Sequence, residues 1–277
     1  MSYARPQTLT EAIRLLAGSP FRLLAGGTDL YPATQSAALS GPILDLADIA
    51  ELHGITPWNG GLRIGATTSW STIAETPLPP ALRALQQAAR QVGGRQIQNA
   101  GTIGGNLCNA SPAADGVPPL LALGARVELA GPQGRRDLPL AAFLTGPRRT
   151  ARNADEIVTA IFIPEQSLAG RSSFLKLGAR AFLVISIAMV AARLTLRPDG
   201  RIAEAALAIG ACGPTATRLA ALEPALTGLT PAQAAQSLTP ETLSPHLAPI
   251  DDIRATAAYR LDSAAELLRR AIQDCAP

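Results

Sequence analysis

Side chains that commonly bind metals or perform acid–base catalysis are scarce in this sequence. The 277 residues include three cysteines, Cys108, Cys212 and Cys275, with no CxxC pair, and two isolated histidines, His53 and His246. Three thiols are too few for a four-thiolate iron–sulfur cluster, and the carboxylates are spread along the chain. The sequence therefore indicates neither a metal site nor a catalytic acid–base pair, and we interpret both histidines as surface or packing residues.

Long apolar runs and clusters of positive charge are also lacking. No run reaches the roughly 18 apolar residues of a membrane-spanning helix, and the N-terminus lacks the apolar core of a signal peptide. The net charge is +3, but the arginines are scattered, without the interleaved aromatic residues that nucleic-acid binding favours. We therefore expect a cytoplasmic protein with reduced cysteines that spans no membrane and binds no nucleic acid.

Lysine is nearly absent, since Lys176 is the only lysine among 24 basic side chains. A strong arginine bias would tend to replace a dispensable lysine, so Lys176 is a candidate functional residue. An ordinary solvated lysine is the alternative. Apolar residues, by contrast, are plentiful: they make up 47% of the chain, enough for folded cores, and the length predicts two domains.

Two glycine pairs are the most informative motifs. Residues 23–29, LLAGGTD, complete an apolar run that predicts a strand, and residues 102–106, TIGGN, follow a predicted helix. Glycine pairs allow adjacent amides to point together at a pyrophosphate, with no Cβ to block its approach. Neither stretch matches the Rossmann or the P-loop motif, and glycine pairs are also common in turns. The residues alone leave both a dinucleotide site and ordinary turns open.

The apolar periodicity predicts an α+β chain. Helical spacing occurs over residues 8–16 and 80–92, and short apolar runs predict strands at 21–24, 43–46, 62–65 and 156–163. After a linker near 166–171, the pattern predicts strands at 174–177, from about 182 to 196 and at 202–209, and helices at 217–226, 230–238 and 252–274. The turn signal at 197–200 joins two of these strands as a hairpin. This predicts a nucleotide-binding part followed by a smaller sheet-and-helix part.

The order of the motifs carries a family resemblance that covers nearly the whole chain. AGGTDL at 25–30, LRIGATT at 62–68, GTIGGN at 101–106 and SPAAD at 111–115 are followed by FLK at 174–176 with Arg180, DIR at 252–254 and YR at 259–260. This series resembles the FAD-binding medium subunit of the molybdenum hydroxylases, the family of xanthine dehydrogenase and aerobic carbon monoxide dehydrogenase.

The resemblance implies a two-subdomain FAD-binding fold of the PCMH type, which is not a Rossmann fold. The N-terminal FAD-binding subdomain would span residues 1–57 and the second one residues 58–168. A C-terminal α+β domain, with an antiparallel sheet and helices, would span residues 171–277.

The resemblance also implies a set of FAD contacts. Two segments would contribute to binding, largely by wrapping the pyrophosphate with backbone amides: Leu23, Leu24, Ala25, Gly26, Gly27, Thr28, Asp29 and Leu30, and then Thr102, Ile103, Gly104, Gly105 and Asn106. Asp115 would bind a cofactor hydroxyl, Val92 and Val158 would lie against the isoalloxazine, and Lys176 would lie near the flavin ring. The plain alternatives are a helix cap for Asp115 and core packing for the two valines.

Two departures from the family pattern concern the flavin and the iron–sulfur clusters. Residues 182–185, FLVI, are wholly apolar where relatives often carry an acidic residue, so a polar flavin contact from this predicted strand is not expected. The cysteine-bearing insertion that some relatives use for an additional cluster is missing.

The function implied is that of an FAD-carrying electron-transfer subunit, and hence an oxidoreductase subunit with no catalytic residue of its own. A large molybdopterin subunit would hydroxylate the substrate and a small [2Fe–2S] subunit would carry electrons, in a dimer of heterotrimers that passes electrons to an external acceptor. Two alternatives stay open. A free-standing flavin oxidoreductase would need a reactive side chain near the ring, for which Cys108 is the only nearby candidate. In a non-catalytic binding module, the glycine pairs would be turns.

Overall fold

The computed structural model describes residues 3–34, 39–181 and 183–276, which fold as an α+β protein with three larger sheets. The α+β class predicted from the sequence is confirmed. Within the described ranges, no helix combines the length and the apolar character needed to cross a membrane.

The N-terminal part is a small parallel sheet covered by one helix. Its elements are β1 (Tyr3–Ala4), α1 (Leu9–Gly18), β2 (Arg22–Leu24) and β3 (Ile43–Asp45). Strand β3 lies between β1 and β2 and is parallel to both. Helix α1 forms because its apolar residues recur at helical spacing, and this face packs on the buried side chains of β3.

The second part is built around a five-stranded antiparallel sheet. Its elements in chain order are β4 (Ile55–Trp58), β5 (Gly61–Gly65), α2 (Trp70–Glu75), α3 (Arg83–Ala89), α4 (Arg95–Ala100), α5 (Ile103–Asn109), α6 (Val117–Ala122), β6 (Arg126–Gly131), β7 (Gly134–Pro139), α7 (Leu140–Phe143), β8 (Leu144–Gly146), β9 (Arg149–Thr150) and β10 (Ile157–Ile163). The sheet order is β4-β5-β10-β6-β7, and β8 pairs with β9 in a separate two-stranded ribbon. Strand β10 occupies the centre because every one of its side chains is buried, as its unbroken apolar sequence requires.

The C-terminal part is a four-stranded antiparallel sheet with helices on one face. Its elements are β11 (Arg171–Leu177), β12 (Ala188–Leu196), β13 (Ile202–Gly210), β14 (Thr217–Arg218), α8 (Glu223–Leu226), α9 (Pro231–Ser237), α10 (Pro240–Leu243) and α11 (Ala257–Asp274). Short 3-10 turns elsewhere in the chain cover Ala50–Leu52, Pro80–Leu82, Glu165–Leu168 and Ser244–His246.

Strand β12 is buried on both faces and joins two cores. Val190 and Leu194 face the core formed with α9 and α11, whereas Met189 and Ala191 face the core shared with α3 and α6. Successive side chains of a strand point to opposite faces, so a continuous apolar strand can contact both layers. The C-terminal sheet is thereby packed directly against the helices that precede β6.

The apolar strand expected from about residue 182 begins later, at Ala188. Residues 183–187 instead form a loop, held in part by a hydrogen bond from the Lys176 ammonium to the Val184 carbonyl oxygen (3.3 Å). Phe182 lies outside the described residues. The prediction of a strand was wrong here because apolar composition alone does not distinguish a strand from an apolar loop beside a cavity.

Other predicted boundaries also differ in the structure. Of the residues 217–226 predicted to be helical, the first two form strand β14, which pairs with β13, and only Glu223–Leu226 is helical. The helix predicted at 252–274 begins at Ala257, because the Asp252 carboxylate accepts hydrogen bonds from amides further along the chain and holds a turn. The helix predicted at 80–92 starts as a 3-10 turn and ends at Ala89. The proposed subdomain boundary at residue 57 falls inside β4.

Candidate FAD site

The first glycine pair follows β2 and makes close backbone contact with the second glycine segment. A Cβ on Gly26 would overlap the carbonyl oxygen of Ala100, at the end of α4. Gly27 has a φ of +69°, and a Cβ there would overlap the Tyr31 ring. Only glycine satisfies both constraints without strain. The pair therefore brings residues 25–29 against the segment that precedes α5.

The amides of this first loop are available for a ligand. Within the described part of the chain, the amide groups of Gly26, Gly27, Thr28 and Asp29 have no hydrogen-bond partner. Neighbouring unpaired amides of this kind can bind an anion. The loop therefore offers four adjacent donors to an anionic group such as a phosphate.

The second glycine segment is a helix start rather than an open loop. Thr102 caps α5, and its hydroxyl accepts a hydrogen bond from the Gly105 amide (3.1 Å). The Ile103 and Gly104 amides donate to carbonyl oxygens of residues 68 and 66, and the Asn106 amide donates to the Thr102 carbonyl oxygen. Four amides of this segment are thus already bonded within the chain. The structure differs here from the expectation that they wrap a pyrophosphate.

A cavity of about 780 Å³ lies between these segments. Its volume is within the range of small-molecule sites, about 300–1,000 Å³. Of the predicted contact residues, all but Ile103 and Lys176 line it: Leu23, Leu24, Ala25, Gly26, Gly27, Thr28, Asp29, Leu30, Val92, Thr102, Gly104, Gly105, Asn106, Asp115 and Val158. Ile103 is fully buried in the core. Residues separated widely in sequence are thereby brought to one place.

The cavity also contains a buried acceptor without a partner, namely the carboxamide oxygen Oδ1 of Asn106. This atom has no hydrogen-bond partner among the described residues. Buried polar atoms are almost always hydrogen-bonded in folded proteins, so a ligand that donates a hydrogen bond would satisfy it. The hydroxyl and amide groups of FAD are donors of this kind. The free amides, the orphan acceptor and the apolar side chains of Val92 and Val158 together fit that cofactor.

Asp115 lies in a buried polar cluster at the wall of the cavity. Its carboxylate accepts hydrogen bonds from the Lys176 ammonium and from the Ser186 hydroxyl, each at 2.6 Å. The Asp115 and Lys176 side chains are 9% and 6% exposed. Burial raises the pKa of Asp115 above its usual range, and the two contacts oppose this shift. Lys176 therefore contacts Asp115 and does not itself line the cavity.

Several lining residues were not predicted as contacts. They include Ile97, Cys108, Asn109, Arg148, Arg152, Ile157 and Ile185. Asn109 donates a hydrogen bond to the Asp29 carboxylate (2.7 Å) and accepts one from the Arg148 guanidinium. The one feature of the local sequence that could have pointed to Arg148 as a cavity residue is its position directly after the Gly146-Pro147 turn. Ile185 belongs to the apolar loop 183–187, so this loop forms part of the cavity wall.

The part of the chain that the structure describes contains no group of three or more histidine, cysteine or acidic side chains that could hold a metal ion.

Comparison with known proteins identifies the family. Residues 1–166 match the family described as the FAD binding domain in molybdopterin dehydrogenase. The chain belongs to this family. Residues 173–275 of this FAD-binding subunit also match the C-terminal domain of the CO dehydrogenase flavoprotein. The family resemblance and FAD as the cofactor are therefore confirmed.

Individual relatives agree with this assignment. The xanthine dehydrogenase FAD-binding subunit of Escherichia coli O157:H7 is 39% identical, over 78% of this chain and 76% of the relative. The carbon monoxide dehydrogenase medium chain of Afipia carboxidovorans is 32% identical, over 98% of this chain and 95% of the relative. A chain of the reconstituted CO dehydrogenase from Oligotropha carboxidovorans superimposes with a TM-score of 0.91 at 29% identity, covering 99% of this chain and 97% of that one. The prediction of an oxidoreductase subunit is confirmed.

Proposed function

We propose that this chain is the FAD-carrying electron-transfer subunit of a molybdenum-containing hydroxylase or dehydrogenase complex. Electrons would arrive from a small [2Fe–2S] subunit and leave to an external acceptor, while a large molybdopterin subunit transforms the substrate. The observation that carries the proposal is the cavity between the two glycine segments, in a member of an FAD-binding family whose relatives are named as subunits or medium chains of dehydrogenases.

The residues of this chain would bind and position the cofactor rather than act on a substrate. The free amides of Gly26–Asp29 would bind phosphate oxygens, Asn106 Oδ1 would accept a hydrogen bond from the cofactor, and Val92 and Val158 would contact the flavin ring. Bound FAD supplies the chemistry of accepting and releasing electrons. Asp115, held by Lys176 and Ser186, would accept a hydrogen bond from a cofactor hydroxyl. A dimer of heterotrimers and a cytoplasmic location stay predictions.

The proposal is tested by gentle purification of the native complex through a tag on this chain. We expect flavin and iron–sulfur absorption, together with one larger and one smaller co-purifying polypeptide identified by mass spectrometry. A yellow protein that elutes alone would contradict the proposed complex but would still agree with an FAD-binding protein. A colourless protein that ignores added FAD would contradict both.

A free-standing flavin enzyme remains the second candidate because of one side chain. Cys108 is exposed and lines the cavity, so a covalent bond to the flavin is sterically accessible. Denaturation of the purified yellow protein distinguishes the two cases. A non-covalent electron-transfer subunit should release all of its flavin, whereas retention on the denatured chain, lost in Cys108→Ser, would favour the free-standing enzyme.

A further inference from the structure

Arg148 occupies a constrained position beside the cavity. It lies in the turn between β8 and β9, with a φ of +58°, a left-handed conformation that is uncommon for residues other than glycine. Its amide donates a hydrogen bond to the Ala110 carbonyl oxygen (2.8 Å), which fixes the turn to the end of α5. The backbone thus holds the Arg148 side chain at the cavity wall.

A chain of polar contacts leads from Arg148 to the first glycine loop. Nη1 of Arg148 donates to the Asn109 carboxamide oxygen and, at 3.4 Å, to the Asn109 carbonyl oxygen. The Asn109 amide nitrogen in turn donates to Asp29 Oδ1 (2.7 Å). Among the described residues, Nε and Nη2 of Arg148 have no acceptor. Arg148 is therefore positioned near the free amides and still has donors to offer.

Arg22 and Arg152 also line the cavity, but among the described residues neither has a side-chain hydrogen bond to Asn109 or Asp29. Arg152 donates through Nη1 to three carbonyl oxygens of residues 153, 154 and 156. Lys176 is paired with Asp115, and Nη1 of Arg22 donates to the Ser40 carbonyl oxygen at 3.5 Å. Asp29 itself places a negative charge on the loop that would bind phosphate. A cation at this point is needed to offset the charge repulsion between Asp29 and a bound phosphate.

We propose that Arg148 binds the pyrophosphate of FAD and that Asn109 and Asp29 position it beside the first glycine loop. A guanidinium presents planar paired donors that match phosphate oxygens. The inference rests on the proposed function, because it concerns the same cofactor cavity. It adds a cationic side chain to the unpaired backbone amides of the first glycine loop.

The test compares FAD affinity in three variants of the purified complex after removal of its FAD. Arg148→Gln removes the charge but keeps an amide that can donate to Asn109, and Arg148→Lys keeps the charge. Arg149→Gln is the matched control, because Arg149 is exposed at the start of β9, next to Arg148, and does not line the cavity. The dissociation constant of FAD is measured by quenching of flavin fluorescence at low and high salt, after melting curves establish that the FAD-free variants are folded.

We expect Arg148→Gln to weaken FAD binding about 10- to 100-fold at low salt, as for loss of a charge-assisted hydrogen bond. Arg148→Lys should retain part of the affinity, because it keeps the charge but not the planar paired donors, and Arg149→Gln should retain all of it. The salt dependence of binding should be shallower in Arg148→Gln, because one screened attraction is gone.

Wild-type affinity in Arg148→Gln would overturn the inference, as would an equal loss in Arg149→Gln or a loss that does not change with salt. These outcomes presuppose that the wild-type complex binds FAD. Failure of the wild type to bind FAD would instead contradict the proposed function.

Discussion

Replacing Lys176 by methionine tests the buried ion pair at the cavity wall. The substitution keeps an apolar stem of similar length and removes the ammonium that contacts the Asp115 carboxylate at 2.6 Å. Both side chains are less than one-tenth exposed. Among the described residues, the buried Asp115 carboxylate would then keep Ser186 as its one side-chain partner.

The size of the effect follows from the distance and the burial. At an effective dielectric constant of about 20, two unit charges at this separation attract by about 6 kcal/mol. The cost of burying both charges offsets part of this, and removal of one partner from a buried pair costs about 3–5 kcal/mol. The Ser186 hydrogen bond to the carboxylate remains. We therefore expect the free energy of unfolding to fall by about 3 kcal/mol.

The loss should depend on pH. Burial raises the pKa of Asp115, and removing Lys176 raises it further. When the pKa of an acid is higher in the folded than in the unfolded state, protonation of that acid stabilises the folded state. The free energy of unfolding therefore falls as the pH rises above the pKa of the unfolded state, near 4, and stops falling above the pKa of the folded state. The variant should consequently lose more stability at pH 8 than at pH 5.

Urea unfolding of the FAD-free protein at both pH values measures these differences. Arg95→Met is the control, because the Arg95 and Glu75 side chains are 61% and 60% exposed and their pair should contribute less than about 1 kcal/mol. Adding Asp115→Asn to Lys176→Met should restore stability by removing the uncompensated charge. A loss below about 1 kcal/mol at both pH values, or no recovery in the double variant, would refute the reasoning.

Two further predictions concern the glycine loop and the thiols. Gly26→Ala should abolish FAD binding and lower the melting temperature, because its Cβ would overlap a backbone carbonyl, whereas Gly18→Ala, with no atom within 4 Å of the added Cβ, should be neutral. Normal FAD affinity in Gly26→Ala would contradict the packing of the two segments. Iodoacetamide should modify exposed Cys108 only when FAD is absent. Cys212 and Cys275 should stay unmodified because their side chains are buried; the raised pKa, about 11 for Cys108 and Cys212 and about 12 for Cys275, slows the reaction of all three thiols and does not distinguish them. Peptide mass spectrometry measures both, and equal labelling of Cys108 with FAD present would contradict its place in the cofactor cavity.

The sequence alone determined the local elements and the motif positions. Apolar runs made β12 and β13 predictable, apart from the residue at which β12 begins. The turn at 197–200 places Gly200 at a φ of +79°, as a hairpin signal requires. Thr8 and Thr230 cap helices where the pattern indicates a helix start. These features depend on backbone preferences and on neighbours a few residues away, so they can be predicted from a short stretch of sequence.

Only the tertiary structure decided which groups are free and which are paired. The two glycine pairs look alike in sequence, yet the amides of Gly26 and Gly27 are unpaired while those of Gly104 and Gly105 are bonded within the chain. Lys176 pairs with a carboxylate 61 residues earlier, and Arg148 is linked to Asp29 of the first loop through Asn109. Such contacts join distant elements whose arrangement follows from burial of the whole apolar surface, and local composition does not encode which of them meet.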